Sequence, residues 1–366
     1  MVTTRIIKLI GCLCVSLLIL ISCTHRIKPF ENMQSNATTW LKASPENEGM
    51  SLQKLEEATA TIQDKYPNLF GLLVIRHGKI VYERFYKKED PNAIYPIHSV
   101  TKTFISTLIG IALEKGLIKD LDEKAVDILP DEFKYIDNPE SKNITIRHLL
   151  TMSSGFDWPK PEDWHIQSGI CLNWYLSDNW VKSLFSRKLI NKPGEVFLYN
   201  TAVSHTLSVI LTKKTGMSTL EFAKHFLFGP LQIKNIEWEV KNSIQMGGQG
   251  LELSIYDIAK LGQLFLQKGK WNTEQIVSEK WVQEATKVAY NCNYPGVDLK
   301  YGYKWWIYPV NKLPSYRAIG RGGQFIVVIP DLDMVIAVNS IINPQDYRYT
   351  FYYSYLFTMI AQAVMK

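Results

Sequence analysis

One stretch of the chain is apolar on nearly every helical face. From Val100 to Leu113 hydrophobic residues are spread around the helix instead of along one side, and no proline interrupts them. A helix that is apolar all round is a buried one, so residues 97–117 are predicted to form one central, buried helix. The only charged side chain in the Val100 to Leu113 run is Lys102.

Two β-rich runs precede this helix, and several more follow late in the chain. In residues 69–86, LFGLLVIRHGKIVYERFY, His77-Gly78 separates two hydrophobic segments, which predicts a β-hairpin with a tight turn. The late strand candidates are YGYKWWIYP, SYRAIGRGG, QFIVVIP and DMVIAVNS, and the chain closes with a predicted helix in SYLFTMIAQAVMK. Between the early and late strands the pattern indicates helical pieces joined by loops.

The order of these elements predicts an α+β fold of the two-lobe α/β kind. Strands from both ends of the chain would form one antiparallel sheet flanked by helices, with a mostly helical lobe inserted. The folded domain would cover residues 49–366. Its sheet lobe would comprise about 49–118 and 300–366, and its helical lobe about 119–299.

Composition and charge exclude several classes of function. The chain has 366 residues with 41 Lys and Arg against 35 Asp and Glu, and these charges are dispersed. No basic run is interleaved with aromatic residues, so no nucleic-acid partner is expected. The seven histidines are scattered without an H-E-x-x-H pattern, and no G-x-x-x-x-G-K loop occurs. We therefore expect no metal, no nucleotide and no other cofactor.

The first 23 residues have the features of an export signal. Arg5 and Lys8 precede the apolar run LIGCLCVSLLILIS, which is too short to span a bilayer. The run ends in LISC, which resembles a bacterial lipobox and implies that Cys23 is lipidated. The protein would then be held at the membrane by an N-terminal lipid, in the bacterial cell envelope, facing the periplasm or the cell exterior. An ordinary signal peptide with an incidental cysteine is the alternative.

The polar, proline-containing residues 24–48 are predicted to be a tether between this anchor and the folded domain. Cys171 and Cys292 are the cysteines that would remain in the mature domain. They could pair in an oxidising compartment, but the sequence does not decide whether they do.

Ser99 and Lys102 at the start of the buried helix are the candidate chemical centre. Residues three apart lie on one helical face, about 5–6 Å apart between Cβ atoms, so the Lys102 amine can reach the Ser99 hydroxyl. Burial lowers the pKa of an amine and makes it a candidate base. Free N–H groups at the helix start suit a developing oxyanion. A capping serine beside a snorkelling lysine is the structural alternative.

A second S-x-x-K occurs at Ser51 and Lys54, so the spacing alone is weak evidence. Here Ser51 precedes an amphipathic helix with charges on one side. We interpret Ser51 as an N-cap and Lys54 as a solvated side chain.

The tryptophan-rich residues 157–180 could either pack beneath a long loop or line a pocket wall. Within them Ser177-Asp178-Asn179 spells the S-D-N of some serine hydrolases. Since a helical pattern follows directly, an N-cap is the favoured interpretation.

Three motifs in order resemble the β-lactamase-related serine hydrolases, which include class C β-lactamases, DD-peptidases and esterase-like enzymes. S-V-T-K at Ser99 matches the family's S-x-x-K, Tyr199 in FLYNT matches the tyrosine of Y-x-N, and Arg321-Gly322-Gly323 stands in place of K-T-G or H-x-G. The resemblance covers the chain from about Trp40 onward. The G-x-G-G-Q pattern around Gly322 is similar to that of the esterases and aminohexanoate-oligomer hydrolases.

The resemblance implies Ser99, Lys102 and Tyr199 as catalytic residues. The backbone N–H groups of Ser99 and Gln324 would hold the oxyanion. Substrate would contact a further set of residues: Thr201, Arg321, Gly322 and Gly323.

Two positions depart from the family pattern. Thr201 replaces the asparagine of Y-x-N, and Gly322 replaces a hydroxyl residue that lactam-handling members carry. We therefore expect a serine hydrolase that forms a covalent acyl-enzyme with small ester, amide or peptide substrates. A β-lactamase or DD-peptidase is the alternative enzyme, and a non-catalytic peptidoglycan- or peptide-binding lipoprotein is the alternative of another class.

Overall fold

The computed structural model describes residues 40–65, 69–86, 90–134, 136–159, 169–292, 298–340 and 349–365. Its centre is an eight-stranded sheet, antiparallel throughout, with the order β10-β11-β12-β13-β14-β15-β1-β2. These strands are β1 (Leu69–Arg76), β2 (Lys79–Phe85), β10 (Tyr290–Asn291), β11 (Lys300–Tyr301), β12 (Trp306–Ile307), β13 (Tyr316–Gly320), β14 (Gln324–Ile329) and β15 (Met334–Ser340). Shorter strands outside this sheet are β3 (Tyr95–Pro96), β4 (Glu237–Trp238), β5 (Val240–Lys241), β6 (Ile244–Gln245), β7 (Leu251–Leu253), β8 (Lys270–Trp271) and β9 (Glu274–Gln275).

Strands from the two ends of the chain pair with each other in one sheet, as predicted. Val74 of β1 lies opposite Ile336 of β15 on one side and opposite Tyr82 of β2 on the other. The hairpin turn has positive φ at both His77 (49°) and Gly78 (75°), which is the backbone of a type I′ turn. The α+β architecture and the hairpin are therefore confirmed.

The helices pack on both faces of this sheet and form the inserted lobe. They are α1 (Leu52–Lys65), α2 (Thr101–Glu114), α3 (Ala125–Ile128), α4 (Pro130–Phe133), α5 (Ile146–Leu150), α6 (Gly169–Leu176), α7 (Trp180–Phe185), α8 (Thr201–Thr215), α9 (Thr219–Ala223), α10 (Ile255–Leu266), α11 (Glu279–Thr286) and α12 (Tyr349–Gln362). α1 and α12 pack together on one face of the sheet, and α10 packs on β14 and β15 of the other. None of the helices within the described ranges is long and apolar enough to cross a bilayer.

Helix α10 belongs with the sheet, although it falls in the range assigned above to the helical lobe. A Cβ on Gly262 would lie 2.6 Å from side-chain carbons of Ile326 and Val335. Only glycine permits so close an approach of this helix to the sheet. Strand β10 also lies in the assigned helical range and extends the sheet by pairing with β11.

The central helix is shorter than predicted. The chain first makes a 3-10 turn over His98–Val100, and α2 then runs from Thr101 to Glu114. His98 has a left-handed φ of 47°, which a right-handed helix cannot contain, so the predicted helix over residues 97–117 does not begin at residue 97. Residues 101–112 are all buried, as the apolar pattern required.

The predicted tether is also shorter than residues 24–48. Trp40 Nε1 donates to the carbonyl of Tyr256, and the Ala43 N–H donates to the carbonyl of Ile80. The chain is therefore part of the folded domain from Trp40 onward. The predicted signal peptide, Cys23 and the remainder of the tether lie outside the described residues.

Candidate active site

Ser99 lies in the middle of the 3-10 turn that leads into α2, and it is partly exposed. Lys102 follows in the first turn of the helix and is 1% exposed. Its Nζ donates to Ser99 Oγ at 2.8 Å and to the carbonyl oxygen of Gly248 at 2.6 Å. The Ser99 hydroxyl and the Lys102 amine, which the sequence spacing predicted to meet, are therefore in direct contact.

The surroundings of Lys102 favour its neutral form. Burial lowers the pKa of Lys102 to about 7, because a desolvated ammonium ion loses its hydration. A neutral amine has two N–H donors and one lone pair. When one N–H is bound to the Gly248 carbonyl, the lone pair can face the Ser99 hydroxyl and accept its proton.

Tyr199 completes the cluster from the other side. It is 5% exposed, its ring centroid lies 5.1 Å from Lys102 Nζ, and its hydroxyl hydrogen-bonds to Ser99. Burial raises the pKa of Tyr199 well above its usual range, and the Ser99 hydrogen bond only partly offsets this. Tyr199 is therefore a neutral phenol that can donate to one oxygen and accept from another.

The backbone on both sides of Tyr199 is held by one residue. Leu198 N–H donates to the carbonyl of Met152 at 2.8 Å, and Asn200 N–H donates to Met152 Sδ at 3.4 Å. The Asn200 side chain then caps α8 by accepting from the N–H of Ala202. The position of the Tyr199 ring is therefore set by the segment after α5 and by the start of α8.

An aromatic wall extends from Tyr199. Trp306 stacks on Tyr199 with centroids 5.4 Å apart, and Tyr301 packs edge-on against Trp306 at 4.7 Å. Trp306 is partly exposed. It thus presents an apolar surface next to the candidate nucleophile.

The start of β14 lies against the turn that carries Ser99. Gly320 and Gln324 pair at the end of β13–β14, and a Cβ on Gly320 would lie 2.7 Å from the carbonyl oxygen of Ile97. Gly323 has a φ of 100°, and its Cβ would lie 2.8 Å from Ser340 Oγ. Gly320 therefore lets this corner approach the 3-10 turn of Ser99, where Ser99 and Gln324 were predicted to offer their N–H groups, and Gly323 lets it pack on β15.

The remaining predicted substrate residues have different surroundings. Arg321 is exposed at the tip of the β13–β14 turn, next to partly exposed Gly322. Thr201 is the first residue of α8 and packs on Gly248, whose Cβ would lie 2.5 Å from Thr201 Cγ2. Thr201 thus supports the loop that binds Lys102.

Three residues of the site were not predicted from the sequence: His98, Gly248 and Lys304. Burial, with the charges of Arg321 and Lys102, lowers the pKa of His98 to about 4, so His98 is neutral beside the nucleophile. The glycine run at residues 247–250 was a signal for Gly248, since glycine often marks close approach of backbone. No local pattern distinguishes Lys304 from a surface lysine.

The described tryptophans of the 157–180 segment pack in the protein interior instead of lining a pocket. Trp158, Trp174 and Trp180 are each at most 5% exposed, and Trp174 contacts both of the others. Asn179 caps α7 by accepting from the N–H of Lys182, which confirms the cap interpretation of S-D-N. The remaining tryptophan of the segment lies outside the described residues.

No disulfide joins Cys171 to Cys292 in this structure. Among the residues that the structure describes, no group of three His, Cys, Asp or Glu side chains is arranged to bind a metal ion.

A family model and a known relative each match most of this chain. A family model described as Beta-lactamase matches residues 52–354. An uncharacterized protein of Alkalihalophilus pseudofirmus is 21% identical over 319 residues, which cover 76% of this chain and 86% of that protein.

Two solved structures share the fold. One is a Bacillus anthracis protein assigned as a 6-aminohexanoate-dimer hydrolase, with a TM-score of 0.73, 22% identity, and coverage of 89% of this chain and 87% of that one. The other is EstCE1, a hydrolase with promiscuous acyltransferase activity, with a TM-score of 0.69, 16% identity, and coverage of 86% and 98%. At these identities the likeness establishes the fold.

Proposed function

Since the chain belongs to the β-lactamase family and is a serine hydrolase, we propose that it cleaves ester or amide bonds of small substrates through a covalent acyl-enzyme. The observation that carries the proposal is the contact of a buried amine with a partly exposed serine, 2.8 Å between Lys102 Nζ and Ser99 Oγ. A buried amine in contact with an accessible hydroxyl is the arrangement in which the amine can take the hydroxyl proton.

In the proposed reaction Ser99 Oγ attacks the acyl carbon while its proton passes to Lys102 Nζ. The bond to the leaving group breaks, and the proton reaches the leaving oxygen or nitrogen through Tyr199. Water then attacks the acyl-enzyme and regenerates Ser99. The N–H groups of Ser99 and Gln324 would stabilise the oxyanion, where one donor is typically worth about 2.7–4 kcal/mol.

Small acyl esters are the preferred substrate class in this proposal. Gly322 offers no hydroxyl, and Thr201 packs on Gly248 in place of an asparagine that could reach substrate. The partly exposed Trp306 beside Tyr199 suits an apolar acyl group. The exposed Arg321 suits a substrate carboxylate. The neighbours EstCE1 and the assigned aminohexanoate-dimer hydrolase are also described as hydrolases.

The test is a side-by-side measurement of kcat/KM on a nitrophenyl ester, a D-Ala-D-Ala peptide and a chromogenic cephalosporin, with Ser99→Ala as control. We expect the ester to be turned over fastest and all turnover to depend on Ser99. Faster turnover of the cephalosporin or the peptide would favour a β-lactamase or DD-peptidase. Absence of Ser99-dependent turnover and acylation would favour a non-catalytic peptidoglycan- or peptide-binding lipoprotein.

We also propose that Cys23 carries a lipid and holds the enzyme at the cell envelope. The basis is the LISC sequence at the end of the apolar N-terminal run. The native protein should enter the detergent phase in a detergent partition experiment, and Cys23→Ser should abolish this. Partition of Cys23→Ser into detergent, or a mature N-terminus at another residue, would contradict the anchor.

A further inference from the structure

A second lysine is buried beneath the candidate site. Lys304 lies in the loop between β11 and β12 and is 2% exposed. Its Nζ donates to the carbonyl oxygen of Leu149 at 2.5 Å. In the part of the chain that the structure describes, no carboxylate pairs with this amine, which is unusual because a buried lysine ordinarily pairs with an acid.

The backbone at Lys304 is also unusual. Its φ is 69°, a left-handed conformation that favours glycine. Residues in such conformations persist where surrounding contacts hold them, and they cluster at functional sites. Burial and the left-handed backbone both disfavour a lysine at this position. Its presence therefore calls for a compensating role.

Lys304 connects the elements that carry the three catalytic groups. Leu149, which it binds, is in α5, directly before the Met152 segment that fixes the backbone on both sides of Tyr199. The carbonyl of the preceding residue, Tyr303, accepts from Ser106 Oγ at 2.8 Å. Ser106 lies one turn beyond Lys102 on the same face of α2.

The two buried amines also affect each other electrostatically. Burial and the charge of Lys102 both hold the pKa of Lys304 well below its usual range. The titratable groups on the elements around Lys304 include Lys102 on α2, Tyr199 before α8, Arg147 and His148 on α5, Tyr301 and Tyr303 beside the loop, and Glu284 on α11. The Arg147 charge is already compensated by Asp122, at 2.7 Å. Burial and the Lys102 charge therefore both disfavour the charged form of Lys304.

We propose that Lys304 is a positioning residue that acts through Lys102 and Tyr199: its amine ties α5 to the β11–β12 loop and leaves Lys102 as the one amine of the pair that takes up a proton. When Ser99 attacks, its O–H bond breaks and the proton goes to Lys102 Nζ. A charge already present on Lys304 would oppose that new ammonium ion. This inference rests on the proposed acyl-enzyme function.

The test measures the rate at which a fluorophosphonate probe adds mass at Ser99, as a function of pH. Lys304→Met keeps the length of the side chain without its N–H donors, and Lys304→Gly suits the left-handed backbone. Both should lower the labelling rate at least tenfold. The acid limb of the profile, where the labelling rate falls as the pH falls, should stay at the wild-type pH. The melting temperature of Lys304→Gly should not be lowered. Lys312 has the same φ of 69° and is exposed, so Lys312→Gly is the matched control and should label at the wild-type rate.

A third variant tests the electrostatic part. Lys304→Arg carries a charge at every accessible pH, and it should move the acid limb to lower pH by half a unit or more, which a purely structural role would not do.

Wild-type labelling rates in both Lys304→Met and Lys304→Gly would overturn the inference. So would an acid limb that moves to higher pH in Lys304→Met, since the lost group would then have been charged. If Lys304→Arg does not fold, the Met and Gly variants still decide. An unlabelled wild-type protein would overturn the proposed function itself, whereas labelled wild type with unaffected variants overturns only the role of Lys304.

Discussion

Two S-x-x-K motifs in this chain have the same spacing and opposite surroundings. Ser51 precedes α1 and accepts the N–H of Lys54 at 3.4 Å, and the Lys54 side chain is exposed and donates to the carbonyl of Gln362. In the Ser99 motif, by contrast, the Lys102 amine donates to the serine hydroxyl itself. The Ser51 pair therefore caps a helix, and the Ser99 pair places a buried amine against a hydroxyl.

Burial of the lysine accounts for the difference. An exposed lysine remains an ammonium ion, and water competes for any serine beside it. Lys102 is enclosed by α2, Tyr199 and the Gly248 loop, so its amine loses hydration and its pKa falls to about 7. The same three-residue spacing thus buries the amine against the hydroxyl only where the helix is apolar on every side.

The strongest test of this comparison removes each lysine in turn. Lys102→Ala should lower kcat/KM by about 10²–10⁴-fold, because general base catalysis typically contributes that much. Lys54→Ala is the matched control, and it should leave kcat/KM unchanged. Activity of Lys102→Ala within a few-fold of wild type, with an unchanged melting curve, would remove Lys102 from the mechanism.

A smaller effect is expected from the loop that holds the Lys102 amine. In Gly248→Ala the new Cβ would meet Thr201 Cγ2 at 2.5 Å and the Thr201 carbonyl oxygen at 2.8 Å, so the Gly248 carbonyl must move away from Lys102. We expect kcat/KM to fall about tenfold, equivalent to about 1.4 kcal/mol. Adding Thr201→Ser, which removes Cγ2, should restore part of the loss.

The control for this variant is Gly216→Ala. Gly216 also has a special backbone, with φ of 69°, but nothing lies within 4 Å of its Cβ position. This change should lower stability without affecting kcat/KM. Equal activity of Gly248→Ala and Gly216→Ala would mean that the Gly248 carbonyl does not orient the base.

The pH dependence should distinguish the two lysines without any mutation. Lys102 accepts a proton from Ser99 only in its neutral form, so kcat/KM should rise with pH through about 7. The folded-state pKa lies below the unfolded value of 10.5, so the unfolded state binds the extra proton between these values and stability should rise with pH there. A flat profile of kcat/KM between pH 5 and 9 would contradict a titrating Lys102.

Local patterns predicted much of the fold, because periodicity and turn chemistry are properties of neighbouring residues. The hairpin at His77-Gly78, the buried α2 and the closing helix all have such signatures. The side of the molecule on which α10 packs depends on Gly262 meeting Val335, a contact between residues far apart in the chain. Periodicity carries no information about such partners, which is why α10 was assigned to the wrong lobe.

The same limit applies to the site. Ser99 and Lys102 are neighbours along one helix, so their contact follows from spacing. The Gly248 carbonyl reaches Lys102 across 146 positions of the chain, and Lys304 reaches Leu149 across 155. The contact between the Ser99 hydroxyl and the Lys102 amine could thus be predicted, whereas the groups that orient this amine required the fold.

The smallest expected effect concerns the other serine and completes the comparison. Ser51→Ala removes a hydroxyl that accepts one N–H of α1, and loss of such a cap typically costs about 1 kcal/mol of stability. Because that bond is long and partly solvated, we expect the cost at or below this value, measured as the shift of a urea unfolding midpoint, with kcat/KM unchanged. The Ser99 hydroxyl instead accepts from the Lys102 amine, and Val100, the N-cap of α2, makes no side-chain capping bond, so Ser99→Ala should show the reverse: no loss of stability and no turnover. A loss of activity in Ser51→Ala would contradict the capping role of the first serine. A loss of stability in Ser99→Ala as large as that in Ser51→Ala would show that Ser99 also caps its helix.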